Sequence, residues 1–338
     1  MVMPRVCRFR CRLLALVTAL ALVSVCGHSA ACSVEAHASE PAAQHSYVPA
    51  VPFAERLEHL GSFSTQGDYA GTLIQTIAFD YETCQWVAAI SASRKPETVA
   101  LAAFPAVAPF VSTYVTAPVS VFAHPQDLSI SGKGGDKRFW LPGKTRKNII
   151  GFSLDSAKNV VSDYEIVISR KPVRGLFSSV SREGHKLFVL GAFGGKGSRR
   201  QVVKVYNLPD MTQTPGRLDL TAVKPIKQWE LGEDQQDHTQ WVQGFATYGD
   251  SIYVLTGNAK KTQTKFLAAY DLEGELMSVS ELPTAASGKL MAGKVRTYEP
   301  EGLEVIDTPD GAKLAFGLAG GTKGKRTYDL WAIPLTRQ

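Results

Sequence analysis

The chain has 338 residues, 44% of them hydrophobic and 20% charged, with a formal net charge of +6. That composition excludes a disordered chain, and the length admits either two domains or one long repeat fold. Four arginines and one glutamate fall within residues 1–38, so only about +3 remains for the rest, too little to argue for nucleic acid.

Arg5, Arg8, Arg10 and Arg12 give a positive start, and Leu13 to Val25 is an apolar run too short for a comfortable membrane span. Ala36-His37-Ala38 then offers a cleavage site, and a cut after Ala31 is a second option. The pattern predicts residues 1–38 as a signal peptide of a secreted protein, at most associated with the cell surface and without a stable transmembrane segment. Residues 39–60, opening on a stretch rich in Ala, Pro and Ser, read as a linker, and 61–338 as the folded domain. Cleavage after Ala38 would remove Cys7, Cys11, Cys26 and Cys32, which leaves Cys84 as a buried thiol with no disulfide.

Helix signals are scarce after residue 60. Short runs rich in Val, Ile, Tyr, Phe and Thr alternate with Gly, Pro, Asp, Asn and Lys clusters, which predicts an all-β fold. Five apolar runs recur: Cys84–Ile90, Lys137–Gly143, Lys186–Gly191, Ser251–Gly257 and Lys313–Gly320. Their spacing of roughly 50 to 65 residues is that of propeller blades. A shorter strand precedes each run, at Gln75–Asp80, Pro125–Ile130, Leu176–Val180, Gln243–Thr247 and Glu301–Val305. Third strands follow several runs, and three of them share Tyr206-Asn207-Leu208, Tyr270-Asp271-Leu272 and Tyr328-Asp329-Leu330. The unit predicts a five-bladed β-propeller whose first strands line a central channel; the competing architecture is a β-sandwich.

Glu299-Pro300-Glu301-Gly302-Leu303-Glu304 is a turn with three carboxylates entering a strand, and Gln243-Gly244-Phe245-Ala246 is its close relative upstream. Glu299 and Glu301 are candidates for a general acid and base, the pair that glycan cleavage needs. A carboxylate before glycine also suits a corner that accepts N–H bonds from a neighbouring blade, and that role, structural or ligand-binding, is the favoured one. His124, Asp127, Trp140 and Gln243 join Glu299 and Glu301 as candidate ligand-binding residues at strand mouths. His124 and Asp127 lack a second histidine cluster, so no metal and no cofactor are expected. Asp237-His238 lies in an acidic, glutamine-rich loop ahead of Trp241. The basic segments Gly194–Arg200 and Gly320–Arg326 lack phosphate-loop spacing and read as exposed hairpin loops able to meet polyanions.

The stretches QGFATYGDSIYVLTG, YEPEGLEVIDTPDGAKLAFGLA with the terminal TYDLWAIPL, and SREGHKLFVLGAF followed by VVKVYNL resemble the helveticin J family of class III bacteriocins. QTIAFDYETCQWVAAIS resembles the first blade of related propellers, among them teichoic-acid biosynthesis protein C and phage tail receptor-binding propellers. The likeness spans roughly residues 60–335. It implies a secreted, monomeric antibacterial protein whose propeller binds a cell-envelope glycan, a teichoic acid or an envelope receptor. The alternatives are a propeller enzyme hydrolysing cell-wall glycan and an envelope-assembly protein.

Overall fold

The computed structural model describes residues 45–337 apart from 52, 66, 95–96, 194–199, 211–215, 232–240, 260–263, 283–297 and 323–324. The described chain begins with β1 (Tyr47–Pro49), the single-turn α1 (Phe53–Arg56) and β2 (Glu58–Ser64). Blade 1 follows with β3 (Ile74–Asp80), β4 (Gln85–Arg94), β5 (Glu97–Pro105) and β7 (Tyr114–Val115), and the two-residue β6 (Phe110–Val111), between β5 and β7 in sequence, lies in the sheet of blade 5. Blade 2 holds β8 (Ser129–Ser131), β9 (Arg138–Pro142), β10 (Asn148–Leu154) and β11 (Val160–Val167). Blade 3 is built from β12 (Arg174–Val180), β13 (Lys186–Ala192), β14 (Val202–Asn207) and β16 (Lys227–Glu230), and β15 (Gly216–Asp219), between β14 and β16 in sequence, lies in the sheet of blade 2. Blade 4 has β17 (Val242–Tyr248), β18 (Ser251–Thr256), β19 (Phe266–Tyr270) and β20 (Leu276–Glu281). Blade 5 closes the chain with β21 (Tyr298–Thr308), β22 (Gly311–Thr322) and β23 (Lys325–Arg337).

The five sheets are the five blades, as the repeat predicts. Their first strands contact one another in a closed ring: β3 touches β8, β8 touches β12, β12 touches β17, β17 touches β21, and β21 returns to β3. The five recurrent apolar runs are the second strands β4, β9, β13, β18 and β22. Their continuous apolar character has a simple cause. Blades pack face to face, so a second strand is covered on both sides, and Trp86 to Ile90 and Leu187 to Leu190 are buried without a break. The core is accordingly five clusters, one at each blade interface. Trp86, Phe104 and Leu330 pack between blades 1 and 5, and Tyr253, Leu303 and Phe316 between blades 4 and 5. Trp140 with Leu187 joins blades 2 and 3, Phe188 with Phe245 joins 3 and 4, and Val87 with Phe152 joins 1 and 2. Each such side chain, fully buried, contributes about 1.5–3 kcal/mol.

Residues 47–60, read from composition as linker, belong to the propeller. β2 pairs antiparallel with β23, Phe63 opposite Tyr328, and so supplies an outer strand of blade 5 from the other end of the sequence. β1 pairs with the far end of β23, Tyr47 opposite Arg337. Only Phe63 is buried along β2, so the apolar signal there is thin and backbone pairing carries the strand. Two further strands reach across blades: β6 pairs parallel with β2, and β15 pairs parallel with β11. The remaining expectation about the N-terminus, a signal peptide over 1–38, lies outside the described residues. Cys84 corrects the count of thiols, because it is disulfide-bonded. Spacing gave no hint of that bond, since the other four cysteines all fall in the segment taken as removed, outside the described residues.

Candidate functional site

Four of the five inner strands carry a register shift near their start: Ile74/Thr76 in β3, Arg174/Phe177 in β12, Val242/Gly244 in β17 and Glu301/Leu303 in β21. Such a bulge takes one residue out of the ladder and re-aims its side chain. In β3 that residue is Gln75 and in β17 it is Gln243. Both turn to blade 5, one from each side. Gln75 Nε2 donates to Glu301 Oε1 at 3.0 Å, and Gln243 Nε2 donates to Glu299 Oε1 at 2.7 Å. In β21 the extra residue is Gly302, at φ +74°, where a Cβ would meet the Thr76 Cα at 2.7 Å. Gly244 is under the same constraint, its absent Cβ falling 2.9 Å from the Leu303 Cβ. The glycines of the two related motifs therefore let inner strands of neighbouring blades approach, and the polar residues before them reach or receive the neighbour.

Burial decides the charge state at this end of the axis. Glu301 is 3% exposed. Burial holds its carboxyl well above the usual carboxylate range, Glu299 pushes the same way, and Arg326 and the Gln75 amide oppose. A neutral carboxyl has a hydroxyl to donate. The Gln75 Oε1, buried and without a hydrogen-bond partner among the described residues, is an acceptor at the other end of the same amide. The Tyr328 hydroxyl donates to the Glu301 carbonyl, and Gly317 leaves the space that its ring fills. Lys265 is 1% exposed, and burial draws its amine down to about 8 against the pull of Glu299.

Farther along the axis are Asp127 and Glu304. Asp127, 1% exposed, accepts the Ser178 N–H at 2.9 Å, and Ser129 Oγ accepts the Val180 N–H at 3.0 Å. Short β8 is thus tied to β12 by side chains. Burial raises the Asp127 carboxyl well above its ordinary value, the Ser178 N–H opposes, and Glu304 adds to the rise. Glu304 keeps a little exposed surface, yet the packed atoms around it push its carboxyl up to about 8, opposed by Arg182.

At the hairpin end the chemistry changes. Arg182 Nη1 meets Asp307 Oδ2 at 2.6 Å, and the guanidinium lies 3.9 Å from the centre of the Tyr81 ring. Tyr248 Oη donates to Asp307 Oδ1 at 2.9 Å, and the Asp307 N–H donates to the Tyr81 hydroxyl oxygen at 2.8 Å. These four residues come from blades 1, 3, 4 and 5.

Of the residues singled out from sequence, Gln243, Glu299 and Glu301 come together at the opening end. His124 and Asp127 do not act as a pair: His124 Nδ1 lies 3.3 Å from Glu97 Oε1 in blade 1, while Asp127 turns to blade 3. Trp140, expected at a ligand, is a core residue. It is 1% exposed, donates from Nε1 to Ser131 Oγ at 2.8 Å, and packs over Gly151. Its aromatic run was read as a mouth because blade interfaces and pockets draw on the same residue types. Asp237 and His238 lie outside the described residues, as do 194–199 and 323–324 of the basic loops; Arg200 pairs with Glu230 at 3.3 Å. Sequence reasoning missed Gln75, Lys265, Arg182 and Asp307. Gln75 had a usable signal, since it is the second residue of its inner strand, as Gln243 is. Among the described residues no three His, Cys, Asp or Glu side chains are grouped to hold a metal ion. No helix among them is long and apolar enough to cross a membrane.

Residues 174–332 match the family described as the phage five-bladed β-propeller receptor-binding platform domain. The match begins at the first residue of β12 and takes in blades 3 to 5, just under half of the chain. Among solved structures the chain is similar to the tail fibre of Staphylococcus aureus phage P68, at 16% identity and a TM-score of 0.58, over 82% of this chain and 52% of that one. The chain thus spans about half the length of that tail fibre. It is also similar to an exo-β-1,3-galactanase from Clostridium thermocellum, at 10% identity and a TM-score of 0.47, over 80% of this chain and 61% of that one. A β-xylosidase, RS223, gives 10% identity and a TM-score of 0.46, over 82% and 94%. No curated protein matches the sequence.

Proposed function

We propose that this protein recognises a polymer or receptor on a bacterial cell surface through the propeller face on which the inner strands begin. The observation that carries the reading is the match of blades 3 to 5 to a receptor-binding platform propeller. It includes both bulged strands β17 and β21 and hence Gln243, Glu299 and Glu301. The test is binding of the labelled full chain to whole cells and purified walls from a broad Gram-positive panel. Saturable binding to some of them is expected, and its absence across the panel would sink the reading. Growth inhibition of the bound strains tests the narrower antibacterial role that the helveticin J resemblance implies.

Glycan hydrolysis is the second reading, favoured by one arrangement: Glu301, whose carboxyl burial holds well above the usual range, lies beside Glu299. Against it, Glu301 is 3% exposed and each carboxylate is held by a glutamine. Release of reducing ends from purified walls, abolished by Glu299→Gln or Glu301→Gln, would establish hydrolysis over binding alone.

Export is part of the proposal, with residues 1–38 as the leader. N-terminal sequencing of the protein recovered outside the cells tests it; a chain retained in the cells with its leader intact would overturn it.

A further inference from the structure

Trp241 differs from the other four tryptophans. Trp86 and Trp140 are each 1% exposed, Trp331 is 5% exposed and Trp229 is half-buried, whereas Trp241 is 61% exposed. Its backbone sits at φ 59°, in the left-handed region that bulky residues rarely adopt. The conformation is held in place: the Trp241 carbonyl accepts the Gly257 N–H at 3.0 Å, extending the β17–β18 pairing by one rung. A large apolar ring is therefore presented to solvent from a fixed piece of backbone, not from a free loop tip.

Its position ties it to the opening end. Trp241 immediately precedes β17 and stands two residues before Gln243, whose amide bonds Glu299. Gly257, its ladder partner, is packed against the Lys265 side chain and Pro300, and Asn258 follows. The residues that follow Trp241 on the chain and across the ladder thus bring amide, carboxylate and amine groups to this end of β17. An exposed aromatic face beside several planar hydrogen-bonding groups is complementary to a pyranose ring. The sugar's C–H face stacks on the indole, and its hydroxyls exchange hydrogen bonds with amides and carboxylates. A protein partner would favour a contiguous apolar patch, and the neighbours of Trp241 on chain and ladder are instead polar or glycine apart from Val242 and Pro300.

We propose that Trp241 is the stacking platform of a saccharide subsite, taking a pyranose unit of a bacterial surface polysaccharide. The proposal rests on the surface-recognition reading and names its ligand class.

The experiment uses the full chain with Trp241→Phe, Trp241→Leu and Trp241→Ala variants. Each is tested on an array of purified bacterial wall and capsular polysaccharides, and in parallel on whole cells. The wild type is expected to bind at least one polysaccharide. Trp241→Leu and Trp241→Ala should lose about tenfold or more in affinity, while Trp241→Phe keeps it within about threefold. Saccharide binding should also quench tryptophan fluorescence in the wild type by an amount that Trp241→Phe removes. Because the side chain is exposed, thermal melting should hardly move, and the phenylalanine–leucine contrast separates a lost aromatic face from lost bulk. Wild type that binds cells but no polysaccharide, or leucine and alanine variants that bind as the wild type does, would overturn the saccharide assignment and leave surface recognition standing. Wild type that binds neither cells nor polysaccharide would overturn both.

Discussion

The two ends of the propeller axis join the same inner strands by opposite means. At the opening end, contacts between blades run through side-chain amides and glycine: Gln75 with the buried Glu301, Gln243 with the half-buried Glu299, and glycine against backbone. At the hairpin end they run through an ion pair, Arg182 with Asp307, stacked on Tyr81 and half open to solvent. The difference follows from room. Gly302 and Gly244 let strands converge at the opening, water is excluded, and an ionised carboxylate there is costly. The hairpin turns keep solvent contact, Arg182 and Asp307 both retaining exposed surface, and a guanidinium can stay charged. The opening end is thus rigid and close-packed, which is what a recognition surface needs from its support.

The sharpest way to break that contrast is to add one methyl group. Gly302→Ala places a Cβ 2.7 Å from the Thr76 Cα in a backbone conformation that favours glycine. The expected loss is about 3 kcal/mol or more in urea unfolding. Gly216, at φ +106° with nothing within 4 Å, is the control. There Gly216→Ala should lose only about 1–2 kcal/mol, the conformational part alone. Equal losses at both sites would mean that the convergence of β21 on β3 is not tight.

The charge state of the buried carboxyls along the axis is tested by pH. Glu301 and Asp127 have folded pKa values raised well above their ordinary ones, and Glu304 is raised to about 8. As pH rises past the ordinary carboxylate range, the unfolded chain loses protons that the folded chain still holds. Stability then falls with increasing pH until the folded values are passed. For Glu304 that window closes near pH 8. The unfolding midpoint should accordingly drop between about pH 5 and 8, the reverse of the usual paired-carboxylate pattern. Glu301→Gln should flatten part of the drop and be more stable than wild type at pH 8 by about 1–2 kcal/mol. The new amide has an N–H to offer the unpartnered Gln75 Oε1 whatever the pH. A variant that is less stable at pH 8, or as steep as wild type, would show Glu301 to be ionised and well solvated.

This contrast was only half legible in the sequence. The blades were, because second strands buried on both faces write unbroken apolar runs such as Trp86 to Ile90 and Leu187 to Leu190, separated at blade length. The relation between Gln243-Gly244 and Glu301-Gly302 was also visible, and it marks positions where strands converge. What could not be read is which neighbour each side chain meets. Gln75 and Glu301 are 226 residues apart, and a ring brings first and last blades together without leaving any local pattern. β2 was lost for a related reason: with one buried residue, its pairing to β23 is written in backbone hydrogen bonds that no side chain announces. Trp140 misled because an aromatic run looks the same whether it faces a ligand or the next blade. Arg182 and Tyr81 follow the inner strands of blades 3 and 1, and only closure of the ring stacks one on the other.

The hairpin end should respond least to substitution and most to salt. Both partners of its ion pair keep solvent contact, Arg182 at 43% side-chain exposure and Asp307 at 32%, so the Coulomb attraction is shared with water. Arg182→Met is expected to cost about 1 kcal/mol. The methionine keeps some contact with the Tyr81 ring, and Asp307 keeps the Tyr248 hydroxyl. Raising the salt from about 0.15 M to 1 M shortens the screening length from about 8 Å to 3 Å and should erase most of the difference between variant and wild type. The same salt step should leave the difference between Glu301→Gln and wild type at pH 8 nearly unchanged, because that carboxyl is out of the ions' reach. If instead the opening-end variant were the salt-sensitive one, the assignment of a dry end and a wet end would be inverted, and the recognition face would have to be sought among the hairpin turns.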